Sequence, residues 1–331
     1  KKHKIDEETL LKNLEKYRSN NNKYDCLVGL SGGRDSVYGL YLLKEKYNMN
    51  PLAYSYDWGF MGEMARLNIS NICGRLGVEV ILRADDIEKF RYYNSLNCKA
   101  LLSKLKLGMV PIVQSLDKKY LSLGNKIAKD NDIELVIHCG GHPYEQREFL
   151  IGFTGVDQKI KQNQLTYTYN IVNKFRIGFY YLMNFLKNPK YFNAAFFENL
   201  KSYYRTFFEI NDRLHLYDYI EWDEKKIDKK INELGFINSK DYGENQWRMG
   251  DTQTAFNNYI YKNLCGFTEY DEFRSHQIRD EKLTRNEAIK LINEENKPKI
   301  KAIKKFCDLM SIDVTYFFNK VNEAKKKNDF I

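Results

Sequence analysis

Residues 24–47 read YDCLVGLSGGRDSVYGLYLLKEKY. The run from 25 to 30 is apolar and short, as a buried strand is, and Ser36 to Tyr47 carries apolar residues at helical spacing. Between them Ser31, Gly32, Gly33, Arg34, Asp35 and Ser36 turn strand into helix. Two adjacent glycines let the backbone approach a ligand closely. Successive N–H groups at the start of a helix can face an anion that the helix dipole also favours, and hydroxyls at both ends add donors. The loop has neither the GxxxxGK(S/T) spacing of a Walker loop nor the GxGxxG of a dinucleotide fingerprint.

Outward from this loop the same rhythm repeats. Strands are predicted at 51–57 and 78–86 and in ELVIHC, ending at 138 or 139, with helices over MARLNISNICGRLG, from 87 to about 105, and over SLDKKYLSLGNKIAKDND. Strands alternating with helices of this length imply an α/β fold, an open and mainly parallel sheet with helices on both faces. An opening helix spans roughly 6 to 20. From 156 onward the strand–helix rhythm stops and Tyr and Phe crowd the sequence, so an all-helical region is expected at the C-terminal end. There TRNEAIKLINEEN begins with a capping box, Thr284 as N-cap and Glu287 at the third helical position. The expected division is an N-terminal helix at 1–24, an α/β core at 25–155 and a helical, aromatic-rich substrate or partner region at 156–331.

With 331 residues, 43% hydrophobic and 29% charged, the chain can bury a core, which excludes disorder and a disulfide-stapled miniprotein. Its six cysteines include no CxxC pair, which points to a reducing compartment and buried thiols. The opening residues lack the apolar run of a signal peptide, and no apolar run reaches the roughly 20 residues that span a bilayer, so a cytoplasmic protein without a transmembrane segment is expected. The net charge of +9 suits an anionic small molecule, an acidic membrane surface or nucleic acid, and does not choose among them. The basic residues are dispersed among acidic ones, and no DNA partner is expected.

SGGRDS resembles the pyrophosphate loop of the PP-loop ATP pyrophosphatases, the adenine nucleotide α-hydrolase superfamily with its HUP-like fold. GHPYEQRE at 141–148 is similar to that superfamily's second motif, through Gly141, His142, Glu145 and Glu148. The resemblance implies ATP and Mg2+ as cofactors, cleavage of ATP to AMP and pyrophosphate, and adenylation of a carbonyl or carboxylate oxygen. It places Leu30, Ser31, Gly32, Gly33, Arg34, Asp35, Ser36, Asp57, Gly140, Gly141 and Glu145 at the nucleotide, with Asp35 and Glu145 on the metal. Asp57 reads equally well as a turn residue.

The segment 247–288 resembles the tail of the N-acetyl sugar amidotransferases of surface-polysaccharide (lipopolysaccharide) biosynthesis. The matching positions include Trp247, Arg248, Asp251, Asn258, Ser275, Arg279, Thr284, Arg285 and Glu287. That likeness implies an AMP-forming ligase that adenylates an acetamido oxygen of an anionic or nucleotide-linked sugar and replaces AMP with ammonia. Asp35, Ser36, Arg248 and Arg279 would be its catalytic residues. The chain has no GxCxG nucleophile elbow, so by the same likeness a separate glutaminase subunit would supply ammonia. Of the two Cys-rich segments common in that family, the one before the first strand is absent and only Cys98 stands near the other, and Asp280 stands where Gly is usual. The alternative is a PP-loop tRNA-modifying enzyme of the thiolation or lysidine type, toward which the net charge would attract RNA.

Overall fold

The computed structural model describes residues 6–18, 23–140, 144, 152–156, 170–209, 213–238 and 252–327. Its sheet is formed by β1 (Cys26–Gly29), β2 (Pro51–Asp57), β3 (Val80–Ala84), β4 (Val136–His138) and β5 (Leu214–His215). The described helices are, in chain order, α1 (Glu7–Glu15), α2 (Arg34–Tyr41), α3 (Glu63–Leu76), α4 (Ile87–Ser103), α5 (Lys119–Asp130), α6 (Ile171–Lys187), α7 (Phe196–Phe207) and α8 (Glu224–Glu233). The series continues with α9 (Gln253–Cys265), α10 (Glu269–Arg279), α11 (Arg285–Glu295), α12 (Ile300–Leu309) and α13 (Val314–Lys327).

All neighbouring strands are parallel, in the order β3-β2-β1-β4-β5. β1 sits at the centre, with Leu27 opposite both Leu52 and Val136, which is why Cys26, Leu27 and Val28 are fully buried. The order reverses between β1 and β4. In an open α/β sheet the crevice for a ligand lies at such a reversal, beyond the carboxyl ends of the strands. Both SGGRDS and the residues after His138 leave the sheet there. Gly39 of α2 makes this end tight: a Cβ at Gly39 would lie 2.5 Å from the Cys139 side chain.

The expected α/β architecture is what the structure shows, and the capping box at Thr284 and Glu287 is formed. Two features differ from the linear reading. First, the region after 156 contributes a strand, since β5 pairs with β4 through Ile137–Leu214 and His138–His215. A two-residue strand is too short to show a period. Second, the compact units are discontinuous: one comprises 1–85, 119–143 and 210–251, the other 86–118, 144–209 and 252–331. The opening helix therefore belongs to the sheet unit. Its Glu7 accepts from Lys46 Nζ at 2.6 Å and from the Tyr47 hydroxyl at 2.7 Å.

Within the second unit, reciprocal amide bonds of 3.0 and 2.9 Å join Asn97 of α4 to Asn199 of α7. The Phe256 ring lies 4.3 Å from Phe317 and 4.9 Å from Phe306, which centres an aromatic core on α9, α12 and α13. A buried Arg274–Glu295 pair, 3.1 Å from Nε to Oε2, links α10 to α11.

Candidate functional site

The loop Ser31–Ser36 is built on three supports. Leu30 N–H donates to Tyr54 O at 2.8 Å, which fixes where β1 ends, while the Leu30 side chain is buried in the core. Gly32 has φ +77, and a Cβ there would stand 2.4 Å from the Ala65 carbonyl oxygen, so the first turn of α3 lies directly against the loop. Asn68 of α3, fully buried, donates to Ile237 O at 3.0 Å and to Gly32 O at 3.4 Å, and accepts from Ile237 N–H at 2.7 Å.

The polar groups of the loop converge. Ser31 and Ser36 Oγ are 3.0 Å apart. Ser36 Oγ donates to Gly33 O at 3.0 Å and accepts from Ser31 N–H at 3.2 Å, while Ser31 Oγ accepts from Gly33 N–H at 3.3 Å. Gly33 is the N-cap of α2 and offers no side chain to cap it. Two hydroxyls and several N–H groups gathered within one short loop, on a helix start without a side-chain cap, suit a phosphate or pyrophosphate group that would replace these internal bonds.

Arg34 and Asp35 face the other way. The Arg34 guanidinium is 2% exposed; Nη1 lies 2.9 Å from Glu224 Oε1 and 3.4 Å from Asp228 Oδ1, and Nε lies 3.3 Å from Asp35 Oδ1. It also sits 5.0 Å above the Trp222 ring. Burial alone would lower the Arg34 pKa, but the carboxylates of Asp35, Glu224 and Asp228 outweigh it and hold the group charged. Burial in turn raises the Asp228 pKa above the ordinary carboxylate value, against the pull of Arg34. Asp35 Oδ1 accepts from Trp222 Nε1 at 2.9 Å, and Asp35 O accepts from the Tyr217 hydroxyl at 2.6 Å. The Arg34 side chain is thus anchored to α8, and its main-chain N–H is the group it presents in the loop. Its Nη2 is buried without a hydrogen-bond partner among the described residues.

Asp57 ends β2, where Oδ1 accepts from Gly59 N–H at 2.8 Å and Oδ2 is paired with Arg66. This is the geometry of a turn residue. Gly140 follows β4 with the His138 ring beside it. Gly141, His142, Glu145, Glu148, Trp247, Arg248 and Asp251 lie outside the described residues. Arg279 closes α10, its Nη1 3.2 Å from His276 Nδ1, and Arg285 opens α11; both belong to the second unit. No group of three or more His, Cys, Asp or Glu able to hold a metal occurs among the described residues.

Sequence reading missed Asn68, Tyr217, Trp222, Glu224 and Asp228, which hold the loop from far along the chain and carry no local signal. It also missed a cluster at the ends of β4 and β5. The His138 and His215 rings meet edge-on at 5.2 Å, and Tyr120 stacks on His138 at 6.1 Å. Arg213 donates to the Tyr54 hydroxyl at 3.1 Å and to Asn125 Oδ1 at 3.2 Å. Neither ring nitrogen of His215 has a partner among the described residues, and burial, then Arg213, lowers its pKa to about 4.

A histidine depressed from about 6.5 in the unfolded chain favours the folded state above that pH. As pH falls from about 6.5 toward 4 the unfolded chain takes up the proton first, and up to about 3 kcal/mol of stability is lost. Urea midpoints at neutral pH and near pH 4.5 should therefore converge in His215→Gln relative to the parent chain. Parallel pH profiles for the two would contradict this placement.

No family model matches the chain. Over 81 residues it is 38% identical to an uncharacterized protein of Methanocaldococcus jannaschii, a match covering 24% of this chain and only 28% of that protein's length. Among solved structures, the U34-tRNA thiolase NcsA from Methanococcus maripaludis with its 4Fe–4S cluster aligns over 84% of this chain and 80% of its own. The TM-score is 0.37 and the identity 16%.

The acetamido-sugar reading is corrected: a solved structure to which the chain is similar is a tRNA thiolase, not a sugar amidotransferase. The described positions that carried the likeness make contacts within or between neighbouring helices. Asn258 donates to Glu269 at 3.0 Å, Ser275 donates to Asp271 O at 2.7 Å, and Thr284 with Glu287 caps α11.

Proposed function

We propose that the chain is an ATP-cleaving enzyme of the PP-loop type, which transfers AMP to an acceptor oxygen and releases pyrophosphate. The observation that carries this reading is the loop itself: two hydroxyls 3.0 Å apart, at a helix start without a side-chain cap and at the point where the strand order reverses. In this reaction the acceptor oxygen attacks the α-phosphorus, the bond to the bridging oxygen of the β-phosphate breaks, and pyrophosphate leaves. Charge grows on the leaving group, so donors already in place around it lower the barrier. Ser31, Ser36 and the N–H groups of Gly32 to Asp35 are those donors. Asp35, tied to Trp222, positions α2. Mg2+, when bound with the triphosphate, neutralises part of its charge. Asp35 Oδ1 is already engaged by Trp222, and no group of three or more His, Cys, Asp or Glu able to hold a metal occurs among the described residues.

The charge of +9 is compatible with several anionic acceptors, and among them we propose an RNA carbonyl. The group that displaces AMP comes from outside the chain. Burial raises all six thiol pKa values: Cys73 and Cys265 reach about 11, Cys307 about 12, and Cys26, Cys98 and Cys139 are pushed well up. Such thiols are poor nucleophiles, whether for hydrolysing glutamine or for carrying sulfur. If ammonia is the incoming group, a separate glutaminase supplies it.

Incubating the purified chain with ATP labelled at the α-phosphate, with and without bulk tRNA, tests the reading. AMP and pyrophosphate formed in a tRNA-dependent manner are expected. ADP as product sinks the proposal, and AMP formed without tRNA dependence removes only the RNA acceptor. Ser31→Ala removes one charge-assisted hydroxyl and should cost roughly 1.5–3 kcal/mol, about 10- to 150-fold in AMP formation. An unchanged rate would place the triphosphate elsewhere.

A further inference from the structure

α6 and α7 run antiparallel beside each other, with Phe185 and Phe196 5.9 Å apart at one end and Phe175 and Phe208 6.3 Å apart at the other. Each helix buries one side only. On α6 the residues at four-, three- and four-residue spacing, Phe175, Phe179, Leu182 and Leu186, are exposed, with Phe175 at 65% and Phe179 at 63%. On α7 the exposed set is Phe197, Leu200 and Tyr204, with Phe197 at 70%. The Phe208 ring stacks on Tyr204 and meets Phe175, so the two sets join into one face. Single exposed apolar residues are ordinary, whereas a contiguous aromatic face this large marks an interaction surface.

The charges around the face select the partner. Between 171 and 208 six residues are Lys or Arg and one, Glu198, is acidic, and α6 has no acidic residue at all. At 100° per residue, Arg176 and Lys187 fall on one side of the α6 stripe, and Lys201, paired with Glu198 at 2.7 Å, lies beside the α7 stripe. Long basic side chains bordering Phe, Tyr and Leu are the pattern of helices that lie in the plane of an anionic bilayer, their apolar side in the acyl boundary and their cations among the headgroups. RNA bases can stack on Phe and Tyr rings, but the exposed Leu182, Leu186 and Leu200 among them suit acyl chains instead. No helix among the described residues is long and apolar enough to cross a membrane, so the contact is peripheral.

We propose that the α6–α7 hairpin docks the chain on an anionic lipid surface, independently of the chemistry at the Ser31–Ser36 loop. The test is co-sedimentation with phosphatidylcholine vesicles, with and without phosphatidylglycerol. The expected result is at least about tenfold tighter binding to the anionic vesicles, weakening as salt is raised. Phe179→Glu combined with Phe197→Glu should abolish binding, and Arg176→Glu combined with Lys187→Glu should erase the preference for anionic lipid. All four changes lie on exposed side chains, so the melting temperature should hold. Failure of the folded parent chain to bind anionic vesicles overturns the proposal, as does equal binding by the Phe variant. Sedimentation velocity covers the remaining occupant: a dimer of the parent chain that the Phe variant dissolves would assign the face to self-association instead.

Discussion

Gly32→Ala is expected to lower AMP formation by at least about 100-fold while leaving a folded chain. Two effects act on one atom. At φ +77 an alanine costs roughly 1–2 kcal/mol of backbone strain. Its Cβ would also lie 2.4 Å from the Ala65 carbonyl oxygen, a main-chain atom at the start of α3 that cannot swing aside as a side-chain tip can. Either the loop or the first turn of α3 must move by about 1 Å, and a shift of that size in groups that position a reacting phosphate costs on the order of 100-fold. Gly74→Ala is the control, since a Cβ there meets nothing within 4 Å although it lies on the same helix. Equal activity losses in the two variants would mean that α3 matters only as a packed helix.

The second large effect concerns stability. Arg34→Ala should destabilise the chain by about 3–5 kcal/mol, because it strands the charges of Asp35, Glu224 and Asp228 around a buried space. A fall of roughly 5–15 °C in melting temperature is expected. Arg34→Met, which keeps the stem over Trp222 and loses the charge, should fall by a similar amount if the carboxylates dominate. If the two variants differ widely, stacking on Trp222 is the larger part. Raising the acidity should partly rescue Arg34→Met, since protonated carboxyls no longer repel one another.

The strand, loop and helix at 24–47 were legible because each is written locally: an apolar run, two glycines, then helical periodicity. The other core strands followed for the same reason, and so did the cap at Thr284. What stayed hidden were contacts that depend on distant sequence. Trp222 and Tyr217 hold Asp35, and Glu224 and Asp228 of α8 hold Arg34, from some 180 to 195 residues further along the chain. β5 is two residues long, and its pairing with β4 brings His215 to His138, which no spacing in the chain announces. The aromatic-rich region is divided in the structure: Phe185 and Tyr191 are buried, whereas Phe175, Phe179 and Phe197 face outward because the apolar positions of α6 and α7 cover more than one side of each helix.

The central claim is that Ser31–Ser36 cradles pyrophosphate, and the most direct measurement follows the amide resonances of the chain labelled with 15N-glycine while inorganic pyrophosphate is added. The Gly32 and Gly33 signals, assigned through the Gly32→Ala and Gly33→Ala variants, should shift saturably, and the apparent affinity should drop by at least about tenfold in Ser36→Ala. Saturable shifts confined to other glycines, or no loss of affinity in Ser36→Ala, would contradict it.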